Sequence, residues 1–152
     1  YQETFISINN DSSKLRTYRQ LKINFDIENY LLSNLTIAER TSITKLRLSN
    51  HVLMIEKGRH QHIHKTLRLC PLCHNHVETE EHFLIVCSHF TVIRNALFHK
   101  VVDIFPNFLY LSNMDKLTLL LTSENLIYLL GPYVLKLFEC RRFLIEKHKN
   151  NN

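Results

Sequence analysis

The sequence predicts a mostly α, single-domain protein with one metal-binding loop embedded in it, and three observations lead there. Only two glycines and three prolines occur in 152 residues, too few for a turn-rich sandwich or barrel. Apolar residues, 45% of the chain, recur at the three- and four-residue steps of amphipathic helices. Three cysteines and a histidine also crowd into residues 70 to 87, CPLCHNHVETEEHFLIVC. A chain of this length can bury one core of ordinary size. We divide it into a polar leader, 1–10, and a helical domain, 11–152, with a zinc-binding segment at 68–90.

Asp11-Ser12-Ser13 supplies capping residues for a first helix whose apolar positions are Leu15, Tyr18, Leu21 and Phe25. Its other face carries Lys14, Arg16, Arg19 and Lys22. Thr36 and Glu39 have capping-box spacing and open a second helix through Ile43 and Leu46, with Arg40, Lys45 and Arg47 on the opposite side. No helical period persists from 50 to 69, which reads as a loop turning at Gly58. The acids at 78–81 favour a helix start near Glu80. Phe90, Ile93, Leu97, Val101 and Ile104 mark a long helix from Ser88 that Pro106 ends. Ser112 and Asp115 start another, to about Leu121. Ser123 caps a last helix to about Lys147, with a kink expected at Gly131-Pro132.

The apolar stretch from Leu117 to Leu137 contains Glu124, Asn125, Lys136 and a Gly-Pro step, so it reads as a buried helix pair and not as a membrane span. The opening residues lack the basic and apolar regions of a secretory signal, which favours a reducing, intracellular setting, nuclear or cytoplasmic, with unpaired cysteines. A start without Met and an end at Lys149-Asn150-Asn151-Asn152 suggest a piece of a longer protein.

Cys70-Pro71-Leu72-Cys73 is a tight turn that can aim two thiolates at one ion, and His82 and Cys87 complete the pattern C-x2-C-x8-H-x4-C. A five-residue helical offset separates His82 and Cys87 by about 140°, so both reach one ion only if His82 lies at or before the first turn. His74, His76 and His89 are alternative fourth ligands. Buried free thiols are the bland reading of the cysteines, and a redox pair would need a strand-helix-strand setting that CPLC lacks. Cys140, among apolar helix positions, reads as core. A closed set of four protein ligands would hold one structural zinc ion with no coordination position for reacting water. Serine at Cys70 or Cys73 should then unfold the loop from about 57 to 90 and spare the C-terminal helices.

Charge is uneven. Residues 10–76 carry eleven Lys and Arg against five acids, whereas 77–152 carry eight of each. Between Lys57 and Val77 there is no acid at all, while Lys57, Arg59, Lys65 and Arg68 alternate with histidines. Phosphate contact is the functional reading of Lys14, Arg16, Arg19, Arg47, His51, Lys57, Arg59, Lys65 and Arg68, and a solvated basic face the bland one. Arg47 and His51 also suit a helix C-terminus. His60, His62 and His64 alternate as a weak second metal motif would.

The blocks Lys14-Leu15-Arg16-Thr17-Tyr18, Lys45-Leu46-Arg47-Leu48-Ser49-Asn50-His51, Ile55-Glu56-Lys57-Gly58-Arg59 and Leu69-Cys70-Pro71-Leu72-Cys73, followed by Glu80, Glu81, His82, Phe83, Leu84 and Cys87, carry a resemblance. In this order they resemble the C-terminal zinc-binding region of non-long-terminal-repeat (LINE-type) retrotransposon reverse transcriptases. The likeness runs from about Lys14 to Phe90 and extends more loosely into the final helices, ending at Arg141-Arg142. It implies a non-catalytic module that follows a polymerase domain and contacts RNA or target DNA during target-primed reverse transcription. Ser88 departs from the proline common there, and the eight-residue middle gap exceeds that of small retroviral knuckles. The aspartates, at 11, 26, 103 and 115, form no adjacent pair of the kind polymerase chemistry needs. A zinc-stabilised protein-interaction module is the rival reading.

Overall fold

A computed structural model of the chain describes residues 15–22 and 26–150. Among these residues the structure is helical, with no β-strand and a single isolated antiparallel bridge between Leu69 and Val77. The helices are α1 (Arg16–Leu21), α2 (Asn29–Leu32), α3 (Ile37–Arg47), α4 (Met54–His60), α5 (Thr91–Ile104), α6 (Asn113–Thr122) and α7 (Ile127–Asn150), and a π-helical turn spans His82–Val86.

The spine of the molecule is α7. At 1.5 Å per residue its 24 residues extend about 36 Å. Leu130, Tyr133, Val134 and Leu137 form its buried stripe, preceded by Leu126 in the 3-10 turn Glu124–Leu126. Helices α3, α5 and α6 all pack on it, and α1 lies across α3 and α6. Gly131 marks the closest approach. A Cβ there would stand 2.7 Å from Leu35 Cδ2 and 3.2 Å from Glu39 Cβ, so a side chain at this position would push the start of α3 and the Leu35 side chain away from α7. The helix continues past Pro132, which is exposed and costs one backbone bond close to the first turn.

The capping signals read from sequence are in place. Thr36 and Glu39 make the reciprocal box at the start of α3, and Ser112 Oγ accepts from Asp115 N–H at the start of α6. Three expectations are corrected. First, α1 is short: Lys22 is already extended and pairs with Glu28. Lys14, the cap at 11–13 and Phe25 lie outside the described residues. Second, 50–69 is not all loop, because Met54–His60 is helical. Its N-terminus is held by Glu78, whose carboxylate accepts Met54 N–H at 2.7 Å and whose carbonyl accepts Ile55 N–H at 3.2 Å. A cap supplied from 24 positions away leaves no local signature. Third, the helix expected from Ser88 begins at Thr91, after a 3-10 turn Ser88–Phe90, because Cys87 is extended.

Candidate metal centre

Two local structures bring the cysteines and the histidine together. The first is a hairpin closed by Cys70 N–H to His76 O (2.8 Å) and Glu78 N–H to Arg68 O (3.0 Å). Pro71 presets the backbone of its turn, and His74 N–H returns to Cys70 O at 2.9 Å. His74 takes the left-handed conformation (φ 57°) that this return requires. The second is the π-helical turn, which begins where Thr79 Oγ1 accepts His82 N–H. Its closing bond runs from Cys87 N–H to His82 O, 2.8 Å, an i to i+5 step. The 140° problem is resolved by widening the turn. An α-helical turn would swing Cys87 away, whereas the wider one returns it beside His82.

The four donor atoms of Cys70, Cys73, His82 and Cys87 all lie within 4.8 Å of one another. Cys70 Sγ and Cys87 Sγ are 4.0 Å apart, and Cys73 Sγ and His82 Nε2 are 3.4 Å apart. Tetrahedral bonds of about 2.3 Å to sulfur and about 2.0 Å to nitrogen demand edges of about 3.8 Å and about 3.5 Å. The group can hold a metal ion. It is also the only such cluster among the described residues, so His60, His62 and His64 do not gather into one. His76 stacks on His82 with ring centroids 5.4 Å apart, and His74 and His89 are exposed.

Three of the ligands are buried and Cys73 is half-buried. The hydrogen bond to Cys87, reinforced by burial, pushes the Cys70 thiol up to about 12, while the same bond lowers Cys87. Binding of an ion by thiolates releases the protons that the thiols carry, so metal uptake here is coupled to proton release.

Sequence reading missed the acids that seat this centre. Glu78 and Glu80, in the residues just before His82, are both buried. Glu78 accepts two bonds from the Arg141 guanidinium of α7, at 2.6 and 2.8 Å. Glu80 accepts from Arg16 at 2.6 Å and from His51 Nε2–H at 2.8 Å, with Ser49 Oγ beside it. Burial opposes ionisation of Glu80, but His51 and Arg16 outweigh it and hold its carboxyl down at about 2. The alternation of acids at 78 and 80 with Thr79 was the available signal. It reads equally well as a helix N-terminus.

The same contacts reassign much of the basic set. Arg16 bridges Glu56 and Glu80. Arg47, 3% exposed, donates to Leu121 O and to Glu28, with the Tyr30 ring 5.2 Å away. The His51 side chain is fully enclosed on Glu80. Arg59 pairs with Glu56, and Arg68 lies over Gly58 and donates to Ile63 O and Ile55 O. These five hold the fold together. Arg19, in the last turn of α1, is half-buried and engaged. Lys57 and Lys65 face solvent.

No family model, curated protein or solved structure matches the chain. Among the described residues, no helix is long and apolar enough to cross a membrane.

Proposed function

We propose that the chain is a zinc-binding, non-catalytic accessory module that holds nucleic acid by its phosphates, of the kind that follows the polymerase domain of a LINE-type retrotransposon reverse transcriptase. Its role there is to position RNA or target DNA during target-primed reverse transcription, inside the cell. The observation that carries this reading is the acid-free segment 57–77. Its two arginines are spent on folding it, while Lys57, Lys65, His60, His62, His64, His74 and His76 are exposed. Clamped by the metal centre at one end and by α4 at the other, it is an ordered surface with one sign of charge. Zinc is the ion we assign, because three thiolates and one imidazole in a closed tetrahedron suit it best.

Native mass spectrometry checks the metal: one zinc per chain is expected, lost or much weakened in His82→Ala. An unmetallated, fully reduced parent chain would sink the assignment. Fluorescence anisotropy with RNA and DNA oligonucleotides across a salt series checks the partner. Binding should weaken steeply with salt, and Lys57→Glu with Lys65→Glu should reduce the log–log slope by about 2 while zinc is retained. A slope unchanged in that double variant removes the segment from the contact surface.

A protein partner is the second reading, favoured by Ile27, Leu31, Leu32 and Ile37, which are exposed around α2 and the start of α3. An upstream polymerase domain is the partner this reading implies. Apolar docking responds little to salt, so the same series separates the two.

A further inference from the structure

Three arginines of the described chain are more than nine-tenths buried: Arg47, Arg94 and Arg141. Two of them meet carboxylates, Arg47 with Glu28 and Arg141 with Glu78. Arg94 meets none among the described residues. It stands in the first turn of α5, 7% exposed, and donates to Cys87 O at 2.9 Å and to Thr91 Oγ1 at 3.1 Å. Its charge is felt by Tyr133, whose hydroxyl is committed to Leu84 O at 2.7 Å. Burial pushes the Tyr133 phenol up and the charge of Arg94 opposes it, which leaves the tyrosine neutral beside the guanidinium.

A buried cation without an anion is costly enough that folded chains rarely keep one. A divalent ion held by three thiolates and a neutral imidazole carries one net negative charge, and Cys87 is one of those thiolates. We propose that Arg94 is a positioning residue for the metal centre: it fixes the Cys87 backbone and supplies the positive charge that balances the metal–thiolate group. This rests on the zinc reading above. The arrangement accounts for a guanidinium aimed at the backbone of a ligand residue with no carboxylate partner among the described residues. A role confined to capping the carbonyl of Cys87 would also use the two bonds, but it would not depend on the charge of the ligand set.

That difference provides the test. Zinc affinity is measured by competition with a chromophoric chelator in the parent chain, Arg94→Gln, Arg94→Lys, and each combined with Cys73→His, which makes the ligand set Cys2His2 and its net charge zero. Outer-shell partners of metal ligands are worth about 10- to 100-fold in affinity, so Arg94→Gln should weaken zinc at least about tenfold. Arg94→Lys, which keeps the charge and loses the fork, should recover most of it. In the Cys73→His background the cost of Arg94→Gln should shrink to about threefold or less, a result that capping alone would not give. Equal affinity in parent and Arg94→Gln overturns the proposal, as does a tenfold loss that is the same in both backgrounds. If Arg94→Gln does not fold, Arg94→Lys decides: a loss of zinc affinity of about tenfold or more in that variant, equal with Cys73 and with Cys73→His, overturns it as well. A parent chain that takes up no zinc fails earlier, at the metal assignment itself.

Discussion

Cys70→Ser should abolish the cooperative thermal transition of the entire chain, in the α7 signal as much as in the loop. A structural zinc site contributes on the order of 10 kcal/mol or more to folding, and a domain of this size is stable by about 5–15 kcal/mol. With zinc held by this cluster as proposed, loss of one ligand removes most of the margin. The loss also propagates, in contrast to the separate unfolding of 57–90 that sequence position suggests. Phe83 and Phe90, on either side of Cys87, pack edge to face at 5.3 Å, and Phe83 lies 4.9 Å from Phe138 of α7. Tyr133 donates to Leu84 O, and Glu78 holds Arg141. Toward the N-terminus Glu80 holds Arg16 and His51. Far-UV circular dichroism with and without a zinc chelator measures the outcome. A variant that still melts in one sharp step within about 2 kcal/mol of the parent would show that the packing stands without the ion.

Glu78→Leu comes next in size. The carboxylate is fully buried, and its removal strands the Arg141 guanidinium in a site with little access to water. Breaking a buried ion pair from one side costs about 3–5 kcal/mol, and loss of the cap on Met54 N–H adds about 1 kcal/mol. Arg141→Leu should be of similar severity, by stranding the acid. The double variant should recover most of the loss, since two apolar side chains of similar volume often replace a buried pair at little net cost. Urea denaturation at saturating zinc reads all three. Single losses below about 1 kcal/mol, the scale of an exposed pair, or losses that simply add in the double variant, would refute the buried clasp.

What the sequence made legible was local. Spacing picks out the three cysteines of the cluster and favours His82 over His74, His76 and His89, and it also gives the Thr36–Glu39 box and the Ser112 cap, because each is a relation between residues a few positions apart. The helical class follows from periodicity. The clasp was illegible for the opposite reason: Glu78 meets Arg141 63 positions away, and Glu80 meets Arg16 64 positions away. Without those partners, acids at 78–81 look like helix-start residues, and Arg16 and Arg47 look like open cationic surface. The α4 helix was missed because Glu78 caps it from the far side of the hairpin. The π-helical turn escaped because nothing in HFLIVC distinguishes it from an α-helix. Only the need for His82 and Cys87 to meet one ion hinted at it.

The position of Glu78 also sets a timetable for synthesis. As the chain leaves the ribosome, Met54 emerges before the residue that caps its helix, and Glu78 emerges before Arg141. A chain released only that far can close the hairpin, but it holds a carboxylate whose counter-charge has not yet been made. Burying that acid is unfavourable until the last helix arrives. The N-terminal helices thus wait on the C-terminal one, and a nascent chain stalled before residue 141 would present α4 and the 68–78 hairpin as half-formed, protease-accessible pieces.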